Sequence, residues 1–341
     1  MATEDRLVKS LARVLASSGS RGNGARLRLG IGDDAAIIAS RGNRDWVVSC
    51  DAFLEGIHFL TRTDPPDSVG YKSLVRATSD LAAMGALPRF FFLTLALPAG
   101  CTGKWLNGFL EGMARASRQL KIHIGGGDTT RDSKISMSIT VVGEIAPGRA
   151  IARSGARPGD LIFVTGRLGR AALGLELLQR GLGRNNRIRE LVEPHFYPRI
   201  HVELGAWLAQ HRVASSMMDI SDGLSTDLSR LCIASRVGAR VNEHSVPTVK
   251  LSAAQSRSLK NLNYDPMELA LHGGDDYGLL FTVPRKLAAR LRRAPGFRDL
   301  RQIGEIVSGS GILLVNADGR TSRLKPRGWD SFRKQSSKSS G

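Results

Sequence analysis

Cysteine is scarce in this chain, and the few present form no pattern. Cys50, Cys101 and Cys232 are odd in number and widely spaced, and none lies in a C-x-x-C pair. Neither a disulfide framework nor a zinc site is indicated, and reduced thiols are the default. Long apolar runs are missing too. The best, Phe90 to Ala99, is interrupted by Thr94 and limited by Pro98, far short of the roughly 20 residues a membrane helix needs. It reads as a strand or short buried segment. Aromatics are few, at 6%, and are not interleaved with basic residues. With no nucleic-acid-binding motif either, an RNA or DNA groove is not expected. Acidic residues are outnumbered, 31 against 49 Lys and Arg, for a formal net charge of +18.

What remains is an ordinary globular composition, 42% hydrophobic and 23% charged over 341 residues, enough for about two domains with their own cores. Much of the basic excess falls in Arg184 to Arg189, Arg285 to Arg301 and Arg320 to Lys338. Such charge suits nucleic acid, an anionic membrane surface or phosphorylated small molecules, and basic solvated faces explain it more simply than a nucleic-acid groove. Glu4 and Asp5 precede Leu7, Val8, Leu11, Val14 and Leu15 at helical spacing. This is the pattern of a helix, not of a secretory leader or transit peptide, so a cytoplasmic protein is expected. Residues 336–341 are expected to form a disordered tail.

Strand-like and helix-like segments alternate, which predicts an α/β or α+β protein. Trp46 to Asp51 reads as a buried strand with Asp51 at its end, and Ile135 to Val141 as a half-buried strand. Val69 to Met84 shows an apolar helical face stopped by Gly85, with Asp80 in its last turns. Pro147-Gly148 is the best boundary, dividing residues 1–148 from 149–335. Beyond it, Leu161 to Thr165 reads as a strand before a helix from Ala171 to Leu178. A second strand leads from Ser216 into a helix at Leu224 to Val237, with Ser221 and Asp222 as candidate caps.

Against the basic background, aspartates close glycine-rich or apolar runs: Gly32-Asp33-Asp34, Asp51, Asp80, Gly126-Gly127-Asp128, Asp219-Ile220-Ser221-Asp222 and Gly273-Gly274-Asp275-Asp276. Gly30 to Ala35 formally matches the dinucleotide fingerprint G-x-G-x-x-A, but a strand follows rather than a helix, and paired aspartates would repel a pyrophosphate. Gly100 to Trp105 lacks the remaining residues of a P-loop. If nucleotide phosphates are handled, carboxylate-bound magnesium must neutralise them, and several ions need aspartates on several elements. Each Asp-Gly pair alone is ordinary turn chemistry; the set together favours metal. Singly, His58 can contact a phosphate or a substrate or be a plain loop residue. Arg153 can clamp a phosphate or sit in solvent, and Trp329 can stack on a heteroaromatic ring or anchor the C-terminus.

At these residues the sequence resembles the thiamine-monophosphate kinases, within the aminoimidazole-ribotide-synthetase-like ATP-binding superfamily. The matching stretches are Gly30 to Ala35, Ser49 to Phe59, Ser79 to Ala86, Ile124 to Arg131, Ala152 to Pro158, Asp219 to Asp227, Gly273 to Tyr277 and Gly328 to Asp330. The resemblance implies a two-domain fold of mixed sheets flanked by helices, paired as a homodimer through the N-terminal halves. It also implies transfer of the ATP γ-phosphoryl group to thiamine monophosphate. Carried over, Asp34, Ser49, Cys50, Asp51, Asp80, Asp128, Asp219 and Asp222 take magnesium positions. Gly127, Asp128, Arg153 and Ser221 take nucleotide positions, and His58, Asp275 and Trp329 face the thiamine substrate. No covalent or general-base residue is implied.

Two positions depart from the family pattern. Cys50 stands where threonine is usual, and a soft thiol is a poor magnesium ligand unless the backbone carbonyl makes the contact. Asp275 stands where glutamate is usual, one methylene shorter. The alternatives are an aminoimidazole-ribotide-synthetase-type ligase and, in a different class, a basic nucleic-acid-binding protein. The stretch from Ser49 to Phe59 and the terminal Gly-Trp-Asp-Ser-Phe favour the kinase.

Overall fold

Two mixed sheets, one from each half of the chain, carry the molecule. The computed structural model describes residues 3–18, 27–40, 42–184, 188–259, 262 and 264–332. The tail at 336–341 and part of the first basic stretch lie outside them.

The N-terminal half opens with α1 (Glu4–Ser18), β1 (Leu27–Leu29), β2 (Ala36–Ala39) and β3 (Asp45–Leu54). It continues through α2 (Pro66–Ala83), β4 (Leu87–Leu97), α3 (Lys104–Leu120), β5 (His123–Arg131) and β6 (Ser136–Ile145). Its six strands lie in the order β1-β2-β3-β6-β4-β5, antiparallel except for the parallel pair β4 and β5. Met137, Ile139 and Val141 point into the core while alternate residues of β6 do not, as a strand covered on one face requires. β3 runs on to Leu54, so Asp51 lies within the strand rather than at its end.

The second half comprises β7 (Leu161–Thr165), α4 (Arg170–Gln179), α5 (Arg189–Phe196), α6 (Val202–His211), β8 (Ser216–Ile220), α7 (Leu224–Ser235) and β9 (Gly238–Asn242). There follow α8 (Ala253–Ser258), α9 (Pro266–His272), β10 (Gly278–Val283), β11 (Leu300–Val307), β12 (Gly311–Val315) and β13 (Thr321–Leu324). Its seven strands run β13-β12-β9-β11-β7-β10-β8, with β9 and β12 the parallel pair. β7, β8 and β10 are buried along their whole length.

α2 differs from its expected single apolar face. It packs against α3, α6, β3 and β6 and also against β8, so it is buried nearly all round. Leu74 and Val75 share one core with Phe53 and Met137 of the first sheet and with Phe163, Met217 and Phe281 of the second. Its approach to α3 is close: a Cβ at Gly112 would fall 1.8 Å from the carbonyl oxygen of Asp67. The predicted caps of α7 are also corrected. The N-cap is Gly223, without a side-chain bond, and Asp227 reaches back from the first turn to accept from the amides of Asp222 and Gly223, each at 3.0 Å. Asp222 is thereby left to another partner.

Candidate active site

Lys72, Arg76 and Asp80 recur every fourth residue on α2, which aligns them along one side of the helix. At the end of that row, carboxylate oxygens of Asp34, Asp80 and Asp219 lie within 4.8 Å of one another. Asp34 comes from the turn before β2, Asp80 from the last turn of α2, and Asp219 from β8 in the other half of the chain. Ser49 donates to Asp80 at 2.5 Å and Ser79 to Asp219 at 2.7 Å. Arg153 donates to Asp34 through Nε and Nη2, at 3.1 and 2.5 Å, yet Asp34 Oδ2 is buried with no protein partner among the described residues. Burial raises Asp34 and Asp80 above the ordinary carboxylate range, and the Asp219 charge adds to the rise at Asp80. It pushes Asp219 to about 7, helped by the charge of Asp34. Three crowded carboxylates raised by burial and by one another are a site that a cation would stabilise.

Two more aspartates hold resident cations. Asp51 accepts from Arg76 Nε at 2.9 Å, and Asp222 is held by Arg230, which also reaches Asp227 at 3.1 Å. Arg153 is fixed twice, since Asp33 accepts its backbone amide at 3.1 Å while Asp34 takes its guanidinium.

On the far side of Arg76 lie His58 and Asp275. His58 Nδ1 accepts the amide of Leu54 at 3.0 Å and the ring stacks on Phe53 at 5.6 Å. Burial, then the nearby Arg76 charge, lowers its pKa to about 4, so the ring is neutral at pH 7. Asp275 pairs with the buried Lys72 at 2.7 Å and accepts from Tyr277 OH at 2.7 Å. Burial opposes its ionisation, but Lys72 and Arg76 outweigh it and hold Asp275 below the usual carboxylate range. Asp275 and Tyr277 take positive φ values of 67° and 50°, a left-handed conformation costing about 1–2 kcal/mol per residue. Backbone bonds from their amides to the carbonyls of Ser221 and Ile220, both 2.8 Å, fix that turn against β8.

The remaining expected residues are placed as follows. Trp329 is half-buried, and its amide donates to the Asp222 carbonyl at 2.9 Å. The contact requires Gly328, where a Cβ would sit 2.0 Å from that same oxygen. Ser221 adjoins the site through its backbone. Gly127 and Asp128 lie on β5, exposed along its whole length, and Asp128 is not among the carboxylates that meet at Asp80. The Cys50 thiol contacts Ser138 and Thr140, at 3.2 and 3.3 Å, on the exposed face of β3 opposite Ser49 and Asp51. It does not meet the triad.

Residues the sequence reasoning missed are Lys72, Arg76, Ser79, Asp227, Arg230 and Tyr277. Lys72, Arg76 and Ser79 sit in a helix that also carries Asp67, Ser68, Ser73 and Thr78, so sequence alone did not single them out. Nothing local marks Arg230.

Family models for the AIR synthase related protein match residues 32–145 with its N-terminal domain and residues 157–315 with its C-terminal domain. The chain is 36% identical to the thiamine-monophosphate kinase of Escherichia coli (strain K12) over 310 residues, 90% of this chain and 92% of that one. It is 34% identical to the thiamine-monophosphate kinase of Bacillus subtilis (strain 168) over 312 residues, 89% of this chain and 94% of the other. The chain belongs to the thiamine-monophosphate kinase family. Among solved structures, AaThiL complexed with AMPPCP and TMP matches with a TM-score of 0.81 at 30% identity, covering 97% of both chains. The Stenotrophomonas maltophilia K279a thiamine-monophosphate kinase matches at 0.72 and 35% identity, over 92% of this chain and 96% of that one. The family's fold therefore spans nearly the whole chain, both sheets included.

Proposed function

We propose that this protein transfers the γ-phosphoryl group of ATP to thiamine monophosphate, yielding thiamine diphosphate and ADP. The observation that carries the reading is the convergence of Asp34, Asp80 and Asp219 from both halves of the chain, in a family whose curated members are thiamine-monophosphate kinases. Hard carboxylate oxygens, one of them buried and unpartnered among the described residues, fit magnesium. Asp34, Asp80 and Asp219 would hold it, with Asp51, Asp222, Asp128 and Ser49 nearby in role. For Cys50 only the backbone carbonyl is a plausible donor, because its thiol faces away. The chemistry such ions supply is neutralisation of the triphosphate and alignment of its terminal phosphorus.

The protein's own share is positioning. The bond between the γ-phosphorus and its bridging oxygen breaks as a bond forms to a phosphate oxygen of the acceptor. That oxygen is already anionic, so no general base is needed and none is assigned. Arg153, braced by Asp33 and Asp34, serves the nucleotide together with Gly127, Asp128 and Ser221. His58, Asp275 and Trp329 face the thiamine moiety.

Residues 1–148 form the nucleotide- and metal-binding domain, to which residues 149–335 contribute Arg153, Asp219, Ser221 and Asp222. Pairing of two copies uses the N-terminal sheet, whose β5 edge is exposed and whose outer face shows Ile38, Phe90, Phe92 and Ile124, an apolar surface of the kind that marks an interface. No described helix is long and apolar enough to cross a membrane, and use of ATP together with free cysteines fits a cytoplasmic enzyme. Incubation of the purified protein with ATP, magnesium and thiamine monophosphate is expected to produce thiamine diphosphate and ADP in equal amounts. ADP formed without thiamine diphosphate would refute the reading.

A further inference from the structure

Four cations surround the carboxylate site, and three have a terminal nitrogen paired with a carboxylate. Lys72 is held by Asp275, Arg153 by Asp34 through two nitrogens, and Arg230 by Asp222, Asp227 and Asp5. Arg76 is different. Only its Nε is committed, to Asp51 at 2.9 Å. Its two Nη groups bond no partner among the described residues, and neither is among the sealed, unsatisfied polar atoms, so both remain open to a ligand. The guanidinium lies over the Phe53 ring, 5.4 Å from its centroid, and His58 and Phe59 both stack on that ring. Arg76 thus stands between Asp51, on the metal side, and His58 with Asp275, on the thiamine side. Its side chain is only 16% exposed, so its rotamers are already restricted. A planar fork with both terminal nitrogens free matches a phosphate monoester bidentately.

We propose that Arg76 grips the phosphate of the acceptor, a role that rests on reading this side of the cleft as the thiamine monophosphate site. Asp51 and Phe53 aim the fork, and the phosphate it binds is the nucleophile of the transfer. The fork therefore selects thiamine monophosphate over unphosphorylated thiamine.

Calorimetric binding of thiamine monophosphate and of thiamine without nucleotide or magnesium, and separately of ATP with magnesium, tests this in the full-length protein and in Arg76→Met and Arg76→Lys. Wild type is expected to prefer the phosphorylated ligand. Arg76→Met is expected to weaken thiamine monophosphate by about 10- to 100-fold, the loss typical of charge-assisted hydrogen bonds, while leaving thiamine and ATP binding unchanged. Arg76→Lys, which keeps the charge and loses the fork, is expected to fall between; it carries the test if the methionine variant fails to fold. Equal weakening of both thiamine ligands would mean a structural role, and weakening of ATP alone would move Arg76 to the donor side. Either result overturns the proposal. Wild-type protein that binds neither thiamine ligand would overturn the acceptor-site reading together with it, whereas selectivity preserved in Arg76→Met would overturn the Arg76 assignment alone.

Discussion

Gly126-Gly127-Asp128 and Gly273-Gly274-Asp275 share the same three residue types in sequence and have opposite settings in the fold. The first lies on an edge strand exposed throughout, and among the described residues its aspartate accepts only the amide of the next residue, Thr129. The second is folded back against β8 by two left-handed residues and delivers Asp275 to a buried lysine. The second copy is assembled within one chain, whereas the first stays on the exposed edge of the N-terminal sheet. The same letters therefore define one anchor held inside the fold and one exposed strand segment.

The contrast can be broken most strongly where the preorganised side meets the triad. Asp219→Asn is expected to lower kcat/KM by on the order of 10²–10³-fold, measured as thiamine diphosphate formed at saturating magnesium. The variant should nevertheless fold at least as stably as wild type without magnesium, because it removes one of three crowded carboxylates. A thermal melt checks this, and a large drop in Tm would mean that the triad is structural.

Lys72→Met should strand Asp275 without its cation. A fully buried broken pair costs about 3–5 kcal/mol. Asp275 keeps 33% of its side-chain surface exposed, so a loss nearer 2–3 kcal/mol in denaturant unfolding is expected, with partial rescue in the Lys72→Met, Asp275→Asn double variant.

The neighbour of Asp275 sharpens the comparison further. Asp276 accepts the amides of Gly169, Arg170 and Ala171 at the start of α4, so it caps a helix 107 residues away in sequence. Asp276→Ala is expected to cost about 1–2 kcal/mol. Burial pushes its pKa to about 7, against the lowering effect of those amides. Because this folded-state value lies above the unfolded one, its contribution to stability is fully present below about pH 4 and is lost as pH rises through 7. Asp276→Asn should therefore flatten the fall of Tm between about pH 4 and 7. The smallest effect belongs to Cys50→Thr on the exposed face, expected to change unfolding free energy by less than about 0.5 kcal/mol.

Much of this was legible in the sequence, for reasons that can be traced. Alternation in β6 and the continuous apolar run of β7 follow directly from which faces are covered; β7 matches its expected bounds, while β6 runs four residues past the expected Val141, to Ile145. The aspartates at 34, 80 and 219 stood out because glycine-rich or apolar flanks are a poor environment for a charge. Less visible were the cations that answer them. A lysine in a helix reads as a solvated residue, and only the packing of α2 between both sheets buries Lys72 and turns it into the partner of Asp275, 203 residues away. The capping of α7 was misread because Ser221 and Asp222 are good cap types by local rule, while the bonding carboxylate, Asp227, reaches back from inside the helix.

The position of α2 has one more consequence. Its apolar surface closes a single interior with strands of both sheets, so severing the polypeptide between residues 148 and 149 would not release two self-sufficient pieces. Each fragment would present an unfinished wall of Leu, Val and Phe side chains to water, and activity would return only when the two were made together and could complement each other.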